Sequence, residues 1–344
     1  MHPCGMPKLD RRSKRHRDGS AMNGIKQPNV ARERLVEELS AVIGGQKRAF
    51  LDRLPTEELR YLAARGDLQQ RYADRRRGQF LLEWEMSAVI RGELALYEME
   101  ACGPVNWPGL RMLDVGCGDG GFVIAMARRG ARAHGLDIFE AGVAGAKLRA
   151  RAWELPIAAV VGSATSLPYA AGSFDIVTCG DVIEHVADSP AALREIHRVL
   201  RPGGLFWVAA PTRYFPAYVW RDPHHGFFGV ALLPRRAATW YLTRLRRALP
   251  TPHHYGVERL PTYGATVATL RRTGFDILTG EYRPLVMLRN PAHMREGWKK
   301  QIVTTLLALG FRLPLTWVCR LGAELRWPIR LICRKPGARG WDLS

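Results

Sequence analysis

The sequence lacks any C-x-x-C pair; Cys4, Cys102, Cys117, Cys179, Cys319 and Cys333 are scattered singly along it. That spacing excludes a recognisable zinc site and a disulfide framework, and it fits a reducing, cytoplasmic setting. Residues 1–24 are polar and basic with no apolar h-region, so they read as a disordered arm and not as a secretory signal. No apolar run is long enough to cross a bilayer, because the longest, residues 302–321, is interrupted by Arg312, Pro314 and Arg320. Internal repeats are absent. Acidic residues are scarce: 32 Asp and Glu stand against 51 Lys and Arg, a net charge of +19.

That excess is unevenly placed. By segment the net charge is +5 over residues 1–30, −1 over 31–109, 0 over 110–212, +7 over 213–280 and +8 over 281–344. The divisions follow the expected organisation: a basic arm (1–30), a helical segment (31–109), an α/β core (110–212), and an insertion with a C-terminal part (213–344). A basic surface of this kind suits an arginine-rich solvated exterior, an anionic lipid surface, an anionic acceptor or nucleic acid. Since the core is neutral, the basic surface belongs to something other than the core's ligand.

The core opens with Met112-Leu113-Asp114-Val115-Gly116-Cys117-Gly118-Asp119-Gly120-Gly121-Phe122. Residues 112–115 read as a buried strand that breaks into a glycine-rich turn and a helix starting near Gly120. Glycines at such a turn let a ligand lie against the main chain at a helix N-terminus. Gly116, Gly118 and Gly121 also satisfy the dinucleotide spacing G-x-G-x-x-G, with Asp137 about 20 residues further on. From the turn alone, a dinucleotide and a compact adenosyl ligand remain open.

Strand and helix signals then alternate: strands at 132–137, 157–161, 174–179 and 205–210, helices at 141–154 and 190–200. Near-continuous apolar strands joined by helices imply a parallel sheet covered on both faces. Ligands of such sheets bind at the carboxyl ends of the strands, where the strand order reverses. Helical spacing is also expected at 31–44, 46–62, 80–100, 261–273 and 292–309, with a helix start at Leu54-Pro55-Thr56-Glu57. Short strands are expected at 274–278 and 331–334, the last antiparallel.

Three further segments follow in order: Gly162-Ser163-Ala164-Thr165-Ser166-Leu167-Pro168-Tyr169, then Ser173-Phe174-Asp175-Ile176-Val177 with Asp181-Val182-Ile183-Glu184-His185-Val186, and last Leu200-Arg201-Pro202-Gly203-Gly204. Together with the glycine turn, they resemble the class I S-adenosylmethionine-dependent methyltransferases, especially those of ubiquinone and menaquinone biosynthesis. The resemblance covers roughly residues 110–212, and dinucleotide oxidoreductases share only its first motif.

The resemblance implies a Rossmann-like sheet of seven strands, mostly parallel with the last antiparallel, flanked by N-terminal helices and a helical insertion. It implies S-adenosylmethionine as cofactor. Asp114, Gly116, Cys117 and Gly118 would line its methionine part, Asp137 would hold the ribose, and Ile138 would pack on the adenine. Ser163 and Ala164 would sit at the adenine edge, and Cys179 and Gly180 beneath the sulfonium. Ser163 departs from the acidic residue common in the family at that place.

Methyl transfer needs a base only where the acceptor must lose a proton. His185, His224, His225 and Tyr214 are the candidates. Asp181, Glu184 and His185, spaced i, i+3 and i+4, would share one face of a helical turn and could hold Mg2+, as in some quinone-ring O-methyltransferases. The aromatic, basic chain after Thr212 suits a small-molecule or lipid-like acceptor approached at an anionic membrane surface. Against an RNA substrate, the fourth strand ends in Gly180-Asp181-Val182 and no RNA-binding module is recognisable. An NAD-type oxidoreductase and a catalytically silent scaffold are the remaining alternatives.

Overall fold

A computed structural model describes residues 27–43, 48–65, 87–222, 226–245, 260–279, 298–325 and 329–337. Strands β1 (Arg111–Val115), β2 (Arg132–Asp137), β3 (Ala158–Val161), β4 (Phe174–Gly180), β5 (Leu200–Ala210), β6 (Asp276–Thr279) and β7 (Ile329–Arg334) form one sheet. Their order is β3-β2-β1-β4-β5-β7-β6. The first five are parallel, and β7 runs antiparallel to both β5 and β6. The chain lays down β1, β2 and β3 outward in one direction and then crosses to place β4 on the other side of β1. The carboxyl ends of β1 and β4 therefore flank the switch point.

Local signals explain the joins. Helix α5 (Gly121–Arg128) begins where Gly120 takes a left-handed φ of 81°. Helix α6 (Glu140–Ala152) returns the chain to β3. Helix α7 (Ser189–Val199) has Pro190 in its first turn, and Asp188 caps it by accepting a hydrogen bond from the Ala191 N–H at 2.9 Å. β5 begins at Leu200 and not Leu205, because Leu200 already pairs with Phe174 ahead of an irregularity in the ladder.

Before the sheet come α1 (Gln27–Ile43), α2 (Arg48–Leu51), α3 (Thr56–Ala63) and α4 (Ala88–Glu100). α1 takes in residues 27–30, so the helical segment starts earlier than the sequence reading placed it. α3 begins at Thr56, where Leu54-Pro55-Thr56-Glu57 signals a helix start within the helical spacing of 46–62. Val36, Leu39, Leu51, Leu54, Leu59, Tyr61 and Leu62 form a small core that rests on α6. α4 packs closely on α5; a Cβ on Gly121 would meet the Ala88 backbone at 2.5 Å.

After β5 come α8 (Pro216–Trp220) and α9 (Arg235–Trp240) in the insertion, then α10 (Tyr263–Thr273). Beyond β6 lie α11 (Trp298–Ala308) and α12 (Arg312–Glu324). The expected helix at 292–309 is seen from Trp298 onward; its first residues, and those expected at 80–86, lie outside the described residues. No helix among the described residues is long and apolar enough to cross a membrane.

Candidate functional site

The site is assembled at the carboxyl ends of β1, β2 and β4. Gly116 and Cys117 both donate their backbone N–H to the Leu136 carbonyl, at 2.7 and 2.9 Å, which turns the chain sharply out of β1. Gly116 sits at φ 77°, and any side chain there would collide with Val182. Gly118, at φ 47°, has nothing within 4 Å of where a Cβ would stand. Its backbone N–H donates to Asp137 Oδ2 at 2.8 Å, and the other carboxylate oxygen accepts from the Phe139 N–H at 2.9 Å. The β2 carboxylate is thus oriented by main-chain donors beside an open glycine surface.

Asp114 is buried and accepts a hydrogen bond from Thr178 Oγ1 at 2.6 Å. Burial pushes its carboxyl up to about 7; the Thr178 hydroxyl opposes that shift, and Asp137 adds to it. A ligand cation placed at Asp114 would restore the ionised form. Ile138 is 63% exposed, an apolar surface free for a ring to lie on. Ser163 Oγ pairs with Thr165 Oγ1 at 2.8 Å, so its hydroxyl is held by a local turn, while Ala164 packs against the core.

Cys117 and Cys179 are buried, and burial raises both thiols. They act as small apolar groups. Gly180 lies against the Trp207 and Phe122 rings; a Cβ there would stand 3.1 Å from Trp207.

The proposed metal trio is not assembled as expected. Residues 181–188 form a succession of turns, with Asp181 itself left-handed at φ 55°. The helical i, i+3, i+4 face therefore does not exist. Asp181 faces Arg91 at 3.7 Å, and Glu184 is buried, its carboxyl held well above the usual carboxylate range by desolvation and then by Asp181. Glu184 Oε2 has no hydrogen-bond partner among the described residues. No group of three His, Cys, Asp or Glu side chains among the described residues could hold a metal ion. His185 is partly exposed, its Nε2 3.9 Å from Glu184 Oε1. Tyr214 is exposed in the insertion, and His224 and His225 lie outside the described residues.

The structure adds residues that the motifs do not contain. Arg65, just after α3, reaches the glycine turn and pairs with Asp119 Oδ2 at 2.6 Å. Arg149 of α6 donates to the Asp119 carbonyl at 2.6 Å, stacks over the Tyr61 ring at 3.9 Å, and pairs with Glu58 of α3 at 3.0 Å. Arg91 of α4 meets Asp181 at the end of β4; desolvation holds its guanidinium down at about 10 despite that partner. No local pattern signals these contacts, because the partners are far apart in sequence.

Residues 113–208 match the family model described as a methyltransferase domain. The ubiquinone biosynthesis O-methyltransferase of Pseudomonas aeruginosa (strain UCBPP-PA14) is 37% identical over 125 residues, covering 33% of this chain and 53% of that protein. The Brucella anthropi protein of the same name is 36% identical over 124 residues, covering 36% and 50%. The chain thus spans about half the length of these relatives. Among solved structures, a putative sarcosine dimethylglycine methyltransferase from Galdieria sulphuraria is 16% identical with a TM-score of 0.46, over 73% of this chain and 87% of that one.

Proposed function

We propose, from the premise that residues 113–208 form a class I methyltransferase domain, that this chain transfers a methyl group from S-adenosylmethionine to an oxygen or carbon of a small-molecule or lipid-like acceptor. The observation that carries this reading is the Asp137 carboxylate, held by Gly118 and Phe139 beside the open glycine turn and the exposed Ile138. A carboxylate at the end of the second strand suits two ribose hydroxyls, and an exposed aliphatic next to it suits an adenine face.

The residues present fit the cofactor. Gly116 and Gly118 give the methionine tail a wall without side chains, Cys117 between them turns its thiol into the core and adds only backbone, and Asp114 offers a counter-charge to the ammonium group. Ser163 and Ala164 bound the adenine edge, and Cys179 and Gly180 form the floor under the reacting centre. When bound, the cofactor supplies a methyl group on a sulfonium, with the leaving group already activated by its charge. The protein's share is chiefly alignment, which can supply about 7 to 11 kcal/mol of the barrier. His185, following β4 and partly exposed, would take the proton of an acceptor hydroxyl; His224 and His225 are the alternative bases. Asp181, Glu184 and His185 are given no metal-holding role, since Asp181 faces Arg91 and Glu184 is buried.

Relatives named for ubiquinone biosynthesis support an apolar, ring-bearing acceptor. The cationic excess after Thr212 supports peripheral placement at an anionic membrane surface on the cytoplasmic side. Calorimetry with S-adenosylhomocysteine tests the core of the proposal: wild type binds and Asp137→Ala does not. Undiminished binding by the variant, or tight nicotinamide nucleotide binding by wild type, overturns it.

A further inference from the structure

An extended apolar surface left open by the described residues is far from the glycine turn in sequence. Helix α12 buries Ala323 and packs on α10, which leaves its other side outward. That outward side is not polar. Leu313, Trp317 and Leu321 repeat at four-residue spacing, Val318 and Leu325 lie next to them on the same arc, and all five are exposed, Leu313 at 82% and Trp317 at 69%. The turn leading into α12 continues the surface: Leu309 and Phe311 are exposed on either side of Gly310, and Ile302 of α11 is exposed as well.

A solvated helix would place charges on this arc, and an apolar arc of this extent marks a contact surface. The charges around it say with what. From Trp298 to Leu325 the chain contains Lys299, Lys300, Arg312 and Arg320 against one acidic residue, Glu324 at the end of α12. A two-fold contact between copies would set four cations from each copy against one another with only Glu324 to offset them. Anionic lipid headgroups meet them, while Trp317 suits the boundary between headgroups and acyl chains.

We infer that α11 and α12 form an in-plane docking surface for an anionic bilayer, with α12 laid along the interface. This deepens, and rests on, the peripheral placement proposed above. The sheet gives the placement a use: residues 326–328 connect α12 to β7, and Ile329 of β7 pairs with Ala210 at the carboxyl end of β5. The docking helix therefore feeds into the same sheet edge that carries the candidate site, where a lipid-like acceptor would have to arrive.

The test is co-sedimentation of the full chain with vesicles of phosphatidylcholine alone or mixed with phosphatidylglycerol. Wild type should partition onto the mixed vesicles, less so at high salt, and weakly onto neutral ones. L313E/W317E, and separately R312E/R320E, should each lose about tenfold in partitioning, while the exposed Trp220→Glu in the insertion should change little. Thermal melts confirm that each variant is folded. Wild type that ignores anionic vesicles overturns this inference together with the peripheral placement. Wild type that binds while both double variants bind equally well overturns the inference alone. Equal binding to neutral vesicles, or a dimer in gel filtration that L313E/W317E disperses without any vesicle binding, also overturns it, the latter by assigning the face to a second copy.

Discussion

The two flanks of the sheet are fastened to it by opposite chemistry. The N-terminal helices are tied down by ion pairs and polar contacts: Glu58 with Arg149, Arg65 with Asp119, Glu93 with Arg128 and Arg129, and Glu98 with Trp207 and Arg330. The C-terminal α12 is held by a small apolar contact and turns large apolar side chains outward. Charges sequestered in a protein demand fixed partners, so the N-terminal flank can sit in only one way. It becomes part of the wall of the glycine turn, since Arg65 and Arg149 both end on Asp119. The C-terminal flank shows no such set of contacts among the described residues, and it leaves Leu313, Trp317 and Val318 exposed.

The largest effect should come from Arg149. With Glu58 it forms a fully buried pair, and removing one partner of such a pair costs about 3–5 kcal/mol. Arg149→Ala should therefore lower the denaturant midpoint severely, while a double E58Q/R149M variant should recover part of the loss. A double variant no better than the single would break the claim that pairing fixes this flank.

Next comes Arg65. Arg65→Ala should weaken S-adenosylhomocysteine binding by about tenfold, the worth of one partly buried charged hydrogen bond. Arg32→Ala loosens the same helices, losing the contacts of Arg32 with the Asp52 and Leu54 carbonyls, but it does not touch the turn. It should leave binding near wild type; equal losses in the two variants would mean that the flank supports the fold alone.

A pH effect of several-fold should follow from Asp114. Its folded-state carboxyl, raised to about 7, binds its proton more tightly than in the unfolded chain. The contribution of this group to stability therefore falls as pH rises from about 4 through 7. A ligand ammonium favours the ionised form, so cofactor affinity should rise between pH 6 and 8. Asp114→Asn should flatten that profile, and an unchanged slope would remove Asp114 from the ammonium site.

The smallest effect belongs to the other flank. Trp317→Glu should shift stability by no more than about 0.5 kcal/mol, as exposed substitutions do. A loss of several kcal/mol would mean that the α12 face is covered within the chain and that the two flanks are more alike than they look.

The sheet was legible in the sequence because parallel strands buried on both faces carry near-continuous apolar runs: Leu205 to Ala210, all apolar and buried, lies in β5 where the pattern places a strand. The glycine turn and Asp137 were legible for a related reason, since a turn that admits a ligand to the backbone restricts residue type over a short stretch. The turns after β4 were not. Spacing suggested a helix over 181–185, yet Asp181 adopts a left-handed conformation and the chain curls against Gly116 through Val182. That outcome is set by close packing between β1 and β4, which no local pattern records. Arg65, Arg91 and Arg149 escaped for the same reason: an arginine destined for burial looks like any other until its partner is placed.

One consequence of the strand order concerns the order of events during synthesis. β5 has β4 on one side from the moment the core is made, but its other edge is filled by β7 only after residues 211–328 have been translated. Until then, the ladder positions of Leu205 to Ala210 stand open in a strand whose side chains are buried in the finished fold. A nascent or clipped chain ending before Ile329 would thus present an apolar, unpaired strand. It should be a client for chaperones or a seed for aggregation, and trimming the C-terminal helices cannot be treated as removal of an ornament.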